Sequence, residues 1–181
     1  MHKTIIIIGV DPGYRNTGIA VLGVTKEKSK LIFRIIGTKL IVTEKDSSKK
    51  SISGLMKQID DYLHINFNLN WCVFDNITGV EFNQALGSAA VCTVRGIILA
   101  RIMVDGGAII PLAPQTVKIK VCGKRTATKE ELQIWACKTI GGFSESIAEY
   151  PKKQQEHLTD AAAIAYTAYF KAKEQGLIKN V

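Results

Sequence analysis

The stretch Thr4-Ile-Ile-Ile-Ile-Gly-Val-Asp11-Pro12-Gly13 decides the fold, because an apolar strand ends there on a carboxylate and turns at once. Residues 17–24 are again apolar and predict a second strand, which places Asp11 at the mouth of a hairpin. A carboxylate at the end of a buried strand is costly unless it is paired or bound to a cation. Asp-Pro-Gly is also a common turn sequence without any chemistry. This stretch alone leaves both interpretations open.

Composition favours one folded domain with an anionic partner. The chain has 181 residues, of which 46% are hydrophobic, and a formal net charge of +8. This length predicts a single domain spanning residues 1–181. The charge favours nucleic acid over a membrane as the partner, and a solvated basic surface without a partner is the alternative. No apolar run approaches the roughly 20 residues that a bilayer crossing needs.

The cysteines and the N-terminus indicate a reducing compartment. Cys72, Cys92, Cys122 and Cys137 include no Cys-x-x-Cys pair, which argues against a zinc site or a disulfide scaffold. We therefore expect buried free thiols. The apolar run after Lys3 is too short for a secretory signal. The predicted location is the cytoplasm, which is the host cytoplasm if the chain comes from a phage or a virus.

Hydrophobic periodicity predicts an α/β fold that opens with three extended segments. The third segment covers residues 31–42, and amphipathic spacing then predicts a helix over residues 51–65. Residues 71–74 predict a short buried strand that ends on Asp75, and residues 108–112 predict the next strand. The other predicted helices cover residues 83–104, 115–121, 128–140 and 154–175. This order predicts a mixed sheet with helices on both faces.

Asp75 repeats the arrangement at Asp11, because both acids follow an apolar strand. Neighbouring strands in crossover topologies present their carboxyl ends on the same side, so the two acids can lie close together. Like charges at short range repel each other, and a divalent cation relieves that repulsion. Glu81 competes for the second position. We expect it beyond the strand, in the loop, and rank Asp75 ahead of it.

The last helix supplies two further candidates. His157 and Asp160 are three residues apart and therefore share one helical face. The small residues after Asp160 allow close packing on the sheet, which would direct both side chains at the strand ends. Asp is also common in the first turn of a helix, and a lone His is usually structural. The prediction depends on four donors that one sheet-and-helix geometry can gather.

With these residues in place, the chain resembles the RuvC family of Holliday-junction resolvases over nearly its whole length. Val10-Asp-Pro-Gly-Tyr-Arg-Asn-Thr-Gly18 is similar to the family's opening motif, and Asp160-Ala-Ala-Ala-Ile-Ala165 to its closing helix. Arg95-Gly96 and Val117-Lys118…Gly123…Lys129 follow in the family's order between them. The resemblance implies a ribonuclease H-like fold. Its mixed five-stranded sheet has an antiparallel meander of strands one to three, a first strand parallel to strands four and five, and helices on both faces.

The resemblance also implies catalytic positions. Asp11 matches the family's first-strand aspartate, Asp160 matches the closing-helix aspartate, and Asp75 falls at the glutamate that ends the fourth strand. His157 stands where the bacterial enzymes usually carry another aspartate, and it resembles the His of RuvC-type domains in RNA-guided nucleases. Thr78 falls at an aromatic position that is linked to junction opening.

Residues and resemblance together predict a Mg²⁺-dependent endonuclease that resolves four-way junctions in DNA recombination and repair, with two metal ions per site. The predicted catalytic and metal-binding residues are Asp11, Asp75, His157 and Asp160, with His157 either a neutral ligand or a base. Imidazole suits Mn²⁺ better than Mg²⁺, so we expect Mn²⁺ to substitute. We also expect activity to fall below about pH 6.5 as His157 protonates. The alternatives are a flap or fork nuclease and a binding-only module for branched DNA with a degraded metal site.

A basic cluster and one helix are the candidates for contacts with DNA and with a second copy. The predicted DNA-binding residues are Lys118, Lys120, Lys124, Arg125 and Lys129. A solvated basic face is the alternative for such a cluster. Because a four-way junction is nearly two-fold symmetric, the expected form is a homodimer. The helix over residues 83–104 is either the dimer contact, as the resemblance implies, or part of the core.

Overall fold

The structure, a computed structural model, describes residues 4–43, 48–67, 77–81, 89–104 and 107–178. The helices and strands in these ranges are β1 (Ile5–Asp11), β2 (Asn16–Glu27), β3 (Lys30–Val42), α1 (Ser48–Phe67), β4 (Ile77–Glu81), α2 (Ala89–Val104), β5 (Ala108–Leu112), α3 (Pro114–Cys122), α4 (Lys129–Thr139), α5 (Phe143–Ile147) and α6 (Lys152–Glu174).

The strands form one five-stranded sheet in the order β3-β2-β1-β4-β5. β2 pairs antiparallel with both β1 and β3, whereas β4 pairs parallel with β1 and β5. The predicted ribonuclease H-like mixed sheet is therefore confirmed. In the parallel half, the carboxyl ends of β1 and β4 meet at one edge of the sheet, where residues at the strand ends can act together.

Helices cover both faces of the sheet, as predicted. Ile7 and Leu22 belong to a buried cluster that includes much of α6, whereas Ile8 and Val21 belong to a second cluster with α1 and α2. This alternation follows from the two-residue period of a strand, which sends successive side chains to opposite faces. The apolar runs of β1 and β2 are continuous because both faces are buried.

Glycines on three strands let α6 lie close against the sheet. A Cβ atom at Gly9 would collide with the Ala161 carbonyl, and one at Gly18 would collide with the His157 carbonyl. A Cβ at Gly79 would lie 2.7 Å from the Ala168 Cβ atom. The backbone of α6 therefore packs directly on the sheet at the strand positions that carry glycine and so have no side chain. This contact fixes the position of the helix that carries His157 and Asp160.

The described fourth strand of the sheet lies after the segment that was predicted to form it, residues 71–74. The strand between β1 and β5 is Ile77–Glu81, and it aligns Ile77 with Ile7 and Val80 with Val10. Residues 71–76, including Asp75, lie outside the described residues. The physical reason is that a central strand under α6 needs a glycine at the contact, which Gly79 provides, whereas hydropathy alone favoured the more apolar run before it.

The other predicted elements agree with the structure within a few residues, apart from the short helix α5 inside the expected loop over 141–150. Residues 83–88 of the long predicted helix lie outside the described residues. Cys92, Cys122 and Cys137 are free thiols, but Cys92 and Cys137 are exposed, which corrects the expectation of burial. In the described ranges, no helix combines the length and the hydrophobicity that crossing a bilayer requires. A single domain over residues 1–181 stays a prediction.

Candidate metal and nucleic-acid site

Asp11 and His157 form the centre of the candidate site. Asp11 is the last residue of β1, and its Oδ2 atom lies 2.9 Å from the Nδ1 atom of His157, which is in the second turn of α6. Both side chains are mostly buried, with 14% of the Asp11 side chain and 33% of the His157 side chain exposed. Residues 146 positions apart in the chain therefore meet at the carboxyl edge of the sheet.

Asp160 lies one turn further along α6 and forms an ion pair with Lys129. Lys129 is the first residue of α4. The predicted capping box is present at this start, because the side chains of Thr128 and Glu131 each accept a hydrogen bond from the other's backbone N–H. The cap fixes the start of α4 and so positions the Lys129 ammonium beside the Asp160 carboxylate. Lys129 thus neutralises an acid of the site, a role that its assignment to DNA binding did not include.

Glu81 completes the cluster of acids. It is the last residue of β4, directly after Val80, which pairs with Val10, so Glu81 and Asp11 end neighbouring parallel strands. The expectation that Glu81 lies in a loop is wrong. Burial and the nearby Asp11 and Asp160 carboxylates raise the pKa of Glu81 to about 7, and Lys129 and Arg95 only partly oppose them.

The other ionisable groups of the site are shifted by the same crowding. Burial and the Asp11 carboxylate raise the pKa of Asp160, although Lys129 acts in the opposite direction. The hydrogen bond to Asp11 raises the pKa of His157 against the effect of burial. Burial lowers the pKa of Lys129, but its contact with Asp160 more than reverses this and keeps the ammonium charged. Burial and the neighbouring Asp11 carboxylate thus both favour the protonated form of Asp160, while His157 and Lys129 are held in their charged forms.

The donor set of this cluster fits a divalent cation. Three carboxylates and one imidazole are oxygen and nitrogen donors of the kind that Mg²⁺ and Mn²⁺ accept. The raised pKa of Glu81 reflects its burial first and the nearby Asp11 and Asp160 carboxylates second. Within the described part of the chain, no three such side chains are yet arranged around a common point. Lys129 lies against Asp160 and His157 against Asp11 instead.

The five predicted DNA-binding residues fall into different environments. Lys120 lies over the Phe170 ring, with its Nζ atom 3.8 Å from the ring centroid, and Lys124 pairs with Glu131 at 2.5 Å. Lys118 is half-buried on α3, and Arg125 is exposed in the turn between α3 and α4. The structure thus separates Lys120, which packs against the C-terminal half of α6, from Lys129, which joins the acids.

Comparison with known proteins agrees with this geometry. The family model described as "Crossover junction endodeoxyribonuclease RuvC" matches residues 7–168, most of the chain. The chain belongs to the RuvC family. A RuvC from Francisella tularensis subsp. novicida is 25% identical over 176 residues, covering 97% of this chain and 94% of the relative. A RuvC from Fusobacterium nucleatum is 26% identical over 162 residues, covering 89% of this chain and 78% of the relative.

Solved RuvC structures share the fold. The Thermus thermophilus RuvC structure is similar with a TM-score of 0.68 and 23% identity, covering 94% of this chain and 96% of that one. T. thermophilus RuvC in complex with Holliday junction substrate is similar with a TM-score of 0.67 and 21% identity, covering 93% and 96% of the two chains.

Glu81, which sequence reasoning ranked below Asp75, ends a strand beside Asp11, and a signal for this placement is present in the chain. Gly9-Val10-Asp11 and Gly79-Val80-Glu81 share the pattern glycine, valine, acid. The structure pairs the two glycines with each other and the two valines with each other. In this RuvC-family chain the pattern marks two strands that pass under one helix and end in an acid at the same edge.

The helix α2 has one buried apolar face and one exposed face, so both the core and a dimer contact are compatible with it. Val94, Ile98 and Ile102 are buried in the core cluster on the α1 side of the sheet. On the other side, Gly96, Ala100 and Met103 are exposed, and Met103 is 69% exposed. A Cβ atom at Gly96 would meet nothing within 4 Å. An apolar helix of this kind thus presents a row of small residues and one methionine at the surface.

Proposed function

We propose that this chain is a structure-selective endonuclease that resolves four-way DNA junctions by metal-dependent hydrolysis of phosphodiester bonds. The observation that carries the proposal is the gathering of Asp11, Glu81, His157 and Asp160 at one edge of the sheet. It occurs in a member of a family whose model is described as a crossover junction endodeoxyribonuclease. The net charge of +8 suits a polyanionic substrate.

Asp11, Glu81, His157 and Asp160 would hold two Mg²⁺ ions, with Mn²⁺ able to replace them because of the imidazole. When bound, the ions would activate a water molecule and stabilise the charge that develops on the departing 3′-oxygen. Glu81 takes the role that the sequence prediction gave to Asp75, because it ends the strand beside β1 and interacts electrostatically with Asp11 and Asp160.

The chain's own residues prepare this site in two ways. Asp11 holds the His157 ring by the hydrogen bond at Nδ1, which leaves Nε2 free to accept a proton or to bind an ion once the ring is neutral. Lys129 holds Asp160 in place and supplies positive charge next to the path of the DNA backbone. Both groups lie on elements that are fixed by packing rather than on loops.

DNA contacts would extend from Lys129 along the start of α4 and the end of α3. We assign Lys118, Lys124 and Arg125 to the phosphate backbone together with Lys129, because all four lie on α3, α4 or the turn between them. Lys120 packs on Phe170 and would contribute to the fold rather than to binding. The substrate would place the protein where cellular DNA is found.

A homodimer would bring two such sites to opposite strands of the junction. The exposed row of Gly96, Ala100 and Met103 on α2 is suited to a helix pair across a two-fold axis, because small residues let two helices approach closely. The same helix contributes Val94 and Ile98 to the core, so a dimer contact there would reinforce the sheet behind the site.

The proposed function is tested by cleavage of a synthetic four-way junction by the parent protein and by Asp11→Asn, with Mg²⁺ and Mn²⁺ in parallel. We expect paired nicks by the parent, and no nicks by Asp11→Asn while it still binds the junction. Fork, flap and linear duplex DNA serve as competing substrates. Equal cleavage of forks and junctions would indicate a general branch nuclease. Binding by the parent without any metal-dependent nicking would overturn the enzyme proposal.

A further inference from the structure

The turn between β1 and β2 is held more tightly than its position at the surface requires. It consists of residues 12–15, directly after Asp11. The Thr17 hydroxyl donates to the Gly13 carbonyl at 2.9 Å, and the Thr43 hydroxyl donates to the Tyr14 carbonyl at 2.5 Å. The backbone N–H of Thr43 donates to the Arg15 carbonyl at 2.9 Å. Three successive carbonyl groups of the turn are therefore fixed.

Two of these three hydrogen bonds come from one residue at the end of another strand. Thr43 follows β3, is 28 positions beyond Arg15 in the chain, and is 9% exposed. Thr17 is completely buried, and Tyr14 packs against the core cluster on the α1 side. Hydrogen bonds made by buried donors persist because water cannot replace them cheaply. The turn is thus a rigid part of the sheet edge and not a mobile loop.

Arg15 is the residue that this turn presents to the solvent. Its side chain is exposed, and it forms no ion pair with any residue in the described ranges. It is four positions after Asp11 in the chain, so their Cα atoms are at most about 14 Å apart, and the turn brings them closer still. This separation lies within the length of a few nucleotides of a DNA strand that is cut at Asp11. Guanidinium groups bind phosphate oxygens in a bidentate manner.

We propose that this turn is a preformed phosphate-binding element, in which Arg15 binds a DNA backbone phosphate next to the cleaved one. Thr43 is the positioning residue that holds Arg15 there. The proposal rests on the proposed nuclease function and deepens it by naming a substrate contact outside the cluster over residues 118–129. Fixing the arginine's backbone before DNA arrives lowers the entropy that binding would otherwise cost.

The first test measures the salt dependence of junction binding in EDTA, where no cleavage occurs. Arg15→Gln should lower the slope of log K against log salt concentration by about 0.9, the value for one lost phosphate contact. Arg34→Gln is the matched control, because Arg34 is also exposed but lies far from Asp11. In the sheet register, Arg34 is opposite Gly23, and Gly23 is opposite Ile6 at the other end of β1. A slope for Arg15→Gln equal to that of the parent would overturn the phosphate contact.

The second test separates positioning from stability by a double-mutant cycle. Thr43→Val removes the hydroxyl bond to Tyr14 but keeps the backbone bond to Arg15, so it should lower the slope in the same direction as Arg15→Gln but by less, and the double variant should match Arg15→Gln alone. Thr43→Ser, which keeps the hydroxyl, should restore the parent slope. Thr167→Val is the control, because Thr167 also donates from a buried hydroxyl to a carbonyl, that of Ala163. Independent effects of Thr43→Val and Arg15→Gln would overturn the positioning role.

The cleavage result for the parent and the salt slopes test the proposed function and the role of Arg15 separately. If the parent resolves junctions while Arg15→Gln keeps the full salt slope, the turn proposal fails and the nuclease stands. If the parent binds DNA but cuts none, the nuclease proposal fails, and the salt slopes still decide the role of Arg15. If Thr43→Val does not fold, Arg15→Gln and Thr43→Ser still give a result.

Discussion

At the scale of single residues, the crowding of acids determines the chemistry of the site. Glu81 ends β4 next to Asp11, and burial together with Asp11 and Asp160 raises its pKa to about 7. Without a cation, the site therefore holds a proton that an isolated glutamate would lose. His157 takes part in the same balance, because its hydrogen bond to Asp11 raises its pKa. Binding of the proposed metal ions at these residues would therefore release protons.

The first prediction concerns Glu81 and the free energy of unfolding of the metal-free protein. Because the folded protein binds this proton more tightly than the unfolded chain, its free energy of unfolding should fall as the pH rises from about 4.5 to about 7. The loss is at most about 3 kcal/mol. Glu81→Gln should remove it, whereas Glu145→Gln, an exposed control on α5, should not. Urea unfolding in EDTA at pH 5 and pH 7.5 measures the difference. Parallel curves for the parent and Glu81→Gln would contradict the prediction.

The second prediction concerns His157 and the acid limb of cleavage. Asp11 favours the protonated imidazole, so cleavage should decrease as the pH falls through the range where the ring gains its proton. A higher concentration of metal ion should move this decrease to lower pH, because the ion and the proton compete. His157→Asp should shift the limb and lower the ratio of Mn²⁺ to Mg²⁺ activity. Single-turnover rates between pH 5 and 8.5 measure both. An unchanged limb and metal ratio in His157→Asp would rule out the role of the imidazole.

At the scale of secondary-structure elements, the contact between α6 and the sheet brings the site together. Gly9, Gly18 and Gly79 leave room for the backbone of α6, and the buried alanines after Asp160 fill the contact from the other side. This contact fixes where His157 and Asp160 meet the ends of β1 and β4. A change of one methyl group in this contact should therefore affect stability and catalysis together.

The third prediction tests this contact with Gly79→Ala. The new Cβ would lie 2.7 Å from Ala168 Cβ and 2.9 Å from Ile164 Cγ2, so α6 would have to move. We expect a loss of about 1–3 kcal/mol in the free energy of unfolding and a reduced rate of junction cleavage. Gly54→Ala is the control, because nothing lies within 4 Å of its new Cβ on α1. It should stabilise the protein by about 0.5–1 kcal/mol. Equal stability of the two variants would show that the contact is looser than described.

The sequence predicted most elements because their patterns arise from local burial. β1 and β2 are buried on both faces and show continuous apolar runs, and α4 begins at a capping box that Thr128 and Glu131 make visible. The place of β4 depends instead on a tertiary contact: Gly79 is needed under α6, and hydropathy does not report that need. The same reason explains the low rank of Glu81. The pairing of Lys129 with Asp160 joins two helices and had no local signal.

At the scale of the whole molecule, charge and an exposed helix determine the interactions. The net charge of +8 favours a polyanionic partner, and the residues that we propose to contact DNA lie around the acids rather than among them, except for Lys129. The helix α2 packs on one side of the sheet and α6 on the other, so the exposed residues of α2 lie on the side away from α6. One molecule could therefore bind a second copy through α2 and DNA at the carboxyl edge at the same time.

The fourth prediction concerns the dimer. Met103→Arg introduces a charge at the exposed row of α2, where two copies would bury it, and should convert a dimer into a monomer. Ile134→Arg is the control, because Ile134 is a 53% exposed apolar residue on α4. Sedimentation velocity at micromolar concentration measures the masses. A dimer that persists in Met103→Arg would place the contact elsewhere.

The central claim is that Glu81, together with Asp11, His157 and Asp160, forms the nuclease site, and one comparison tests it most directly. Single-turnover cleavage of a four-way junction is measured for the parent, Glu81→Gln and Asp75→Asn at saturating Mg²⁺. We predict that Glu81→Gln lowers the rate by about a hundredfold or more, while Asp75→Asn stays within about threefold of the parent. Full activity of Glu81→Gln combined with an inactive Asp75→Asn would contradict the account.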